Sequence, residues 1–227
     1  MGGVKLGPYL LGPNDTPENG IYAGDFMELS SALPEDSVDL IFTDPPYAPE
    51  FLRFYGELAE IGRRILAPQK FLFAYCGNAW LGDIITDMGR SLDYFWTICG
   101  YQPESNHIFQ MRNIGCHWRP VVVFSKGKSR SPRFIPDLWA TNRDKTYHEW
   151  GQGVKFPQKY IHKICELGDL VFDPFCGGGT IPAVCKMLGR KYLAFEIDPI
   201  VAEKARERVR NTNPPLFVLE PEQLELV

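Results

Sequence analysis

The 227-residue chain lacks any apolar run near the roughly 18 residues of a membrane span, so no membrane segment is expected. Its opening, Met1-Gly2-Gly3-Val4-Lys5-Leu6, has no basic-then-apolar layout of a secretory signal, and Leu6 stands where myristoylation needs Ser or Thr. The six cysteines (Cys76, Cys99, Cys116, Cys165, Cys176 and Cys185) form no C-x-x-C pair, and the four histidines show no ligand spacing. That pattern speaks against a zinc site and fits free thiols in a reducing cytoplasm; no metal and a cytoplasmic location are the expectations. Internal repeats and low-complexity segments are absent. So is the dinucleotide fingerprint: in the one glycine-rich loop, the G-x-G-x-x-G/A spacing fails because Pro182 stands at its last position.

What is present suits one large α/β domain. The formal charge is only −4, but it is unevenly spread. From Arg112 to Lys163 there are eleven Lys/Arg against three acids, while the remainder holds thirteen against twenty-five. A basic segment on an acidic body is the footprint of a phosphate-binding face, or else a solvated loop.

Strand-like and helix-like stretches alternate. Residues 1–20, rich in Gly, Pro and Asn, read as an irregular leader, residues 21–210 as the domain, and 211–227 as a tail. Short apolar runs at Ile21–Ala23, Val38–Thr43, Phe71–Cys76, Tyr94–Tyr101, Val121–Phe124, Leu170–Asp173 and Tyr192–Phe195 predict strands. Between them, apolar spacing predicts helices, the clearest from Glu50 to Leu66. This order implies a mostly parallel sheet with helices on both faces, a three-layer α/β/α domain. Residues 125–157 break the pattern and read as a loop insertion. It carries Lys126, Lys128, Arg130, Arg133, Arg143 and Lys145, candidates for contact with a phosphate-bearing partner, with Trp139, Tyr147 and Trp150 among them, which either join that contact or anchor the loop on the core.

Two strand ends carry chemistry. Val38–Thr43 delivers Asp44-Pro45-Pro46-Tyr47, a corner that two prolines make rigid and that presents one carboxylate, fixed carbonyls and one ring. Leu170–Asp173 delivers Pro174-Phe175-Cys176-Gly177-Gly178-Gly179-Thr180, a glycine loop before a helix, and the next strand ends in Glu196. Close backbone approach, helix N–H groups and an acid placed for a ribose diol fit a nucleoside cofactor. Asp173 at the mouth of the loop would repel a pyrophosphate but attract a cation. S-adenosylmethionine, with its sulfonium and ammonium, meets that requirement.

Asp173–Thr180 followed by Glu196-Ile197-Asp198 resembles the cofactor motif of the S-adenosylmethionine-dependent DNA amino-methyltransferases, and Thr43–Tyr47 resembles their catalytic motif. Gly24-Asp25-Phe26 looks like their adenine-contacting strand end, and Phe156-Pro157-Gln158-Lys159 like the motif upstream of the cofactor loop. The catalytic motif comes first, the order of the permuted beta group. The likeness implies a seven-stranded, Rossmann-like sheet with one antiparallel strand. It implies Asp44, Pro45, Pro46 and Tyr47 as catalytic, and Asp25, Phe26, Asp173, Phe175, Cys176, Gly177, Gly179, Thr180, Glu196 and Lys159 as cofactor-binding. The substrate would be double-stranded DNA with a flipped base, and a homodimer and a cognate restriction endonuclease are the partners to look for. In this family an acid at the first catalytic position goes with adenine N6 and a serine with cytosine N4, so Asp44 favours adenine, with cytosine N4 the alternative. RNA or protein-amide methylation and a catalytically degenerate DNA-binding protein are remoter readings.

Overall fold

Side chains alternate along β2 (Val38–Thr43), and that alternation divides the molecule into two apolar layers. Leu40 and Phe42 point to one face, where they meet Phe73, Val121 and Val171; Ile41 points to the other, with Leu72, Phe124 and Phe172. Phe42 is fully buried and stacks on Phe73, centroids 5.4 Å apart. Truncating such a ring in a packed core removes about 3–5 kcal/mol.

The structure is a computed structural model and describes residues 19–102, 105, 107–140 and 153–213. In chain order, β1 (Asn19–Ala23) leads to α1 (Phe26–Ser30), β2, α2 (Arg53–Ile65), β3 (Leu66–Tyr75), α3 (Leu81–Met88) and β4 (Asp93–Tyr101). A small ribbon of β5 (Ile108–Phe109) and β6 (Ile114–Gly115) precedes β7 (Trp118–Ser125). Then come β8 (Leu138–Ala140), α4 (Lys155–Ile164), β9 (Leu170–Asp173), α5 (Thr180–Met187), β10 (Lys191–Glu196) and α6 (Pro199–Asn211). The main sheet runs β1-β10-β9-β2-β3-β7-β4-β8. Every pairing in it is parallel except the two made by β7, which lies antiparallel between β3 and β4. The fold is therefore the three-layer, mostly parallel sheet expected, with α1–α3 packed on one face and α4–α6 on the other.

Local chemistry sets the element ends. Asp25 caps α1 through the amides of Met27 and Glu28, and Asp198 caps α6 through Ile200 and Val201, with Pro199 at the first helical position. Tyr55 on α2 is fully buried and donates its hydroxyl to the Tyr75 carbonyl at 2.9 Å, fixing the end of β3.

Several boundaries differ from expectation. Among the described residues the sheet has eight strands rather than seven, because Leu138–Ala140, inside the supposed loop, adds alongside β4. Only three residues long and next to Pro136, it has too little periodicity to announce itself. β1 begins at Asn19, within the supposed leader; residues 1–18 lie outside the described residues. α4 begins at Lys155 rather than Gln158, since Pro157 falls in its first turn, where no amide hydrogen is missed. α6 runs to Asn211; the supposed tail is otherwise outside the described residues from position 214 on. No described helix is long and apolar enough to cross a membrane.

Candidate active site

The carboxyl ends of β2, β9, β10 and β1 lie side by side, so residues far apart in the chain share one edge of the sheet. Leu40 and Ile41 pair with Val171 and Phe172, which puts the Asp44 corner and the glycine loop on neighbouring strands. One bond joins them: Thr43 donates Oγ1 to Asp173 Oδ1 at 2.6 Å across 130 residues of sequence.

Asp173 is 3% exposed and also accepts from the Phe175 amide at 3.2 Å. Burial pushes its carboxyl up to about 7; the bonds from Thr43 and Phe175 oppose the rise, and the charges of Asp44 and Glu196 add to it. This carboxyl changes charge near neutrality and is stabilised as an anion by a nearby cation.

The loop after it is shaped by two glycines with positive φ, Gly177 at +47° and Gly179 at +74°. A Cβ on Gly179 would come within 2.9 Å of Ala205 Cβ and 3.0 Å of its Cα, so α6 sits directly on the loop. Glu196 accepts from Gly177 N at 2.9 Å with one oxygen and from Asp198 N at 3.0 Å with the other. Both oxygens keep a further lone pair for hydroxyl donors. Asp25 and Phe26 lie at the end of β1, tied to β10 by Gly24 N to Glu196 O at 2.9 Å. Phe26 and Phe175 have centroids 4.5 Å apart, and Phe54 lies 5.8 Å from Phe175, making an aromatic wall beside the loop. Thr180 accepts from Arg208 at 2.9 Å, and Cys176 buries its side chain among Ile21, Ala194 and Ala205.

At the corner, the Tyr47 hydroxyl donates to Asp44 Oδ1 and accepts from Arg119 Nη1 at 3.1 Å. The same Nη1 stands 3.9 Å from Asp44 Oδ2, and the guanidinium lies 4.6 Å over the Tyr75 ring. Burial and the Asp44 carboxylate push the Tyr47 phenol well above its ordinary value, so it is a neutral donor. Burial disfavours the charge of Arg119, but Tyr47 and Asp44 outweigh it and hold the guanidinium protonated. Arg119 escaped the sequence reading. It is an ordinary-looking residue before a proline, and only the antiparallel path of β7 brings it to the corner.

Not every expected residue joins the site. Lys159 lies 4.5 Å over the Trp139 ring, and among the described residues no contact carries it to the glycine loop. Lys126, Lys128, Arg130 and Arg133, the expected DNA contacts, lie toward the end of the sheet opposite the corner. β7 carries the chain from the corner to the opposite edge, about 25 Å away for eight residues at roughly 3.3 Å each. There Lys126 donates to Asp36 at 2.5 Å and to the Leu66 carbonyl at 2.8 Å. Lys128 and Arg130 follow it in the turn. Arg133 is tied to Glu166 at 2.7 Å and to the Lys163 carbonyl at 3.2 Å, bracing the end of α4. Arg143 and Lys145 lie outside the described residues, as do Tyr147 and Trp150. β8, which precedes them, runs parallel to β4 and so heads back toward the edge that bears Asp44. Among the described residues no cluster of His, Cys, Asp and Glu could hold a metal ion.

Comparison with known proteins agrees with this geometry. Residues 126–207 match the N6/N4 family model described as DNA methylase. The chain is 24% identical to the type II methyltransferase M.BamHI of Bacillus amyloliquefaciens over 84% of its own length and 57% of that protein's. It is 25% identical to M.XycI of Xanthomonas campestris pv. cyanopsidis, covering 85% of this chain and 88% of that one. Among solved structures it superposes on the cytosine-N4-specific PvuII DNA methyltransferase with a TM-score of 0.75, at 20% identity, over 92% of this chain and 90% of that one. A putative DNA modification methylase of Thermus thermophilus, solved with S-adenosyl-L-methionine, gives 0.71 at 22% identity over 86% and 94% of the two chains. The chain thus spans little more than half of M.BamHI and nearly all of the two solved neighbours.

Proposed function

We propose that this chain, kin to the S-adenosylmethionine-dependent DNA amino-methyltransferases, transfers a methyl group to the exocyclic amine of a base flipped out of double-stranded DNA. The observation that carries the reading is the Thr43–Asp173 bond, because it locks the acid corner and the glycine loop, two motifs from opposite ends of the chain, into one site.

The donor set fits the cofactor. Asp173 offers an anion to a cationic group, Glu196 offers lone pairs to a ribose, Gly177 and Gly179 leave room for close approach, and Phe26 and Phe175 provide an apolar wall for a purine. When bound, S-adenosylmethionine supplies an electrophilic methyl on a sulfonium.

The chain's own groups do the rest. The lone pair of an aromatic amine is delocalised into its ring and must be drawn out of plane. The Asp44 carboxylate and the Pro45 carbonyl, fixed by the two prolines, accept the two amine hydrogens and aim the lone pair. With S-adenosylmethionine bound, the nitrogen would take its methyl as the S–C bond breaks, and the excess proton would leave to Asp44 or to solvent. Tyr47 first releases Asp44 Oδ1, which its hydroxyl engages, and then stacks on the base, worth about 1–3 kcal/mol. That offsets the few kcal/mol of flipping.

Phosphates are met on the edge that bears the corner. From Ser105 to Pro136 the described residues include no acid. Arg112 and the exposed Met111 and Ile114 stand on the β5–β6 ribbon, which rises from that edge. An acid at position 44 supports adenine N6 as the target. The cytosine-N4 specificity named for the PvuII neighbour supports the second reading. A homodimer and a cognate endonuclease remain part of the proposal.

Single-molecule sequencing of DNA from cells expressing the chain tests this. The expected result is one modified base at one short site, lost in Asp44→Ala. Unmodified DNA from cells making the folded wild type refutes it.

A further inference from the structure

Arg119 carries an inference that rests on the proposed base-amine methylation. A guanidinium has two useful edges. Its hydrogen bond to Tyr47 and its ion contact with Asp44 both run through Nη1. The other edge, Nε and Nη2, is the fork that arginine uses to grip planar acceptors. Nε is buried with no hydrogen-bond partner. Among the described residues Nη2 has none either. A buried donor left unpaired is unfavourable, and native structures rarely keep one without a ligand or water to satisfy it.

Nη1 stands beside the groups that would hold the substrate base. The carboxylate proposed to take the amine hydrogens is 3.9 Å from Nη1, and the Tyr47 hydroxyl, at the edge of the ring on which the base would stack, is 3.1 Å away. In both candidate bases the atom next to the amine-bearing carbon is an unprotonated ring nitrogen, N1 of adenine or N3 of cytosine. Cytosine adds a carbonyl oxygen, O2, on the same edge. Guanine and thymine place a protonated nitrogen there, which would oppose the guanidinium.

We propose that Arg119 is a base-contacting, specificity-determining residue whose guanidinium donates to the ring nitrogen beside the target amine. The residue thereby selects amino bases over keto bases and fixes the ring so that the amine meets Asp44. β7 is held between β3 and β4, and the guanidinium lies over the Tyr75 ring.

The test is a cycle that pairs a residue change with an atom change. Duplex oligonucleotides carry the site found by sequencing, with the target adenine replaced by 1-deazaadenine, which turns the ring nitrogen into C–H. The 7-deaza base is the control, and 3-deazacytosine serves if the target is cytosine. Single-turnover methyl transfer is measured for wild type, Arg119→Met and Arg119→Lys. S-adenosylmethionine affinity serves as the check that each variant is folded. For a hydrogen bond from a charged donor, the wild type should lose about 10- to 100-fold on removal of the ring nitrogen. Both variants should lose a similar factor on the natural base and less than about twofold more on the deaza base, since the bond is already gone. Changes in amine reactivity from the deaza substitution cancel in the cycle. An equal deaza penalty in wild type and variants overturns the proposal while leaving base methylation standing. A wild type that methylates no DNA overturns both. Arg119→Lys keeps a charge near Asp44 but not the fork, so full activity of that variant also overturns it.

Discussion

Asp173 should make cofactor binding depend on pH, and by a predictable factor. Its carboxyl is pushed up to about 7 by burial, with the Thr43 and Phe175 bonds opposing and Asp44 and Glu196 assisting. A cationic ligand prefers the carboxylate. If only that form binds, apparent affinity falls by the ionised fraction, which is about 1/11 one pH unit below the midpoint and about 10/11 one unit above. S-adenosylmethionine should therefore bind about tenfold more weakly at pH 6 than at pH 8. Isothermal titration in two buffers of different ionisation enthalpy should find close to one proton released per ligand at pH 6 and almost none at pH 8. Asp173→Asn keeps an oxygen for Thr43 and serves as reference, since any titration of the ligand itself persists in it. The free protein should show the converse. A carboxyl whose pKa is raised on folding stabilises fully below its unfolded value near 4, and that stability is lost as pH rises through about 7. Three units at about 1.4 kcal/mol each set an upper limit of about 4 kcal/mol. Identical pH slopes in wild type and Asp173→Asn would refute the reasoning, because then Asp173 carries no proton that the ligand displaces.

Asp44→Ala should bind S-adenosylmethionine as the wild type does and lose methyl transfer by at least about 100-fold, read by tritium incorporation into DNA. Gly179→Ala should destabilise by at least about 1–2 kcal/mol from its positive φ, with the contact on Ala205 adding to it, as thermal unfolding would report. Lys126→Met should lower stability by about 1 kcal/mol through its bonds to Asp36 and Leu66 and leave DNA affinity unchanged in a fluorescence-anisotropy titration. A clear loss of DNA affinity in that variant would mean the far edge of the sheet touches the duplex after all.

The sequence was most readable where the signal is local. Two prolines after an apolar run mark the corner at Asp44, and three glycines before a helix mark the loop at Gly177, because φ restrictions act within a few residues. The alternation that makes Leu40 and Ile41 face opposite layers is local too. Lys126 and Arg119 stand apart for one reason. A charge count along the chain adds residues of one strand together, whereas β7 spans the sheet and leaves Arg119 at the corner and Lys126 at the far edge. Only strand direction separates them, and composition does not encode direction. Lys159 was assigned by motif position; its contact with Trp139 depends on the insertion packing back against α4, which is a tertiary event.

The pairing of β1 with β10 also governs how the chain is made. Ile21 and Tyr22 are buried, yet among the described strands theirs has one neighbour, Lys191–Glu196, more than 160 residues downstream. β2, β3, β7, β4 and β8 come from one contiguous stretch of chain, whereas β1, among the described strands, pairs only with β10. β1 can therefore pair only after β10 has been made. Such long-range closure is slow and leaves an apolar edge exposed meanwhile. Completion of the cofactor side, which needs Asp25, Phe26 and Glu196 together, thus waits for β10.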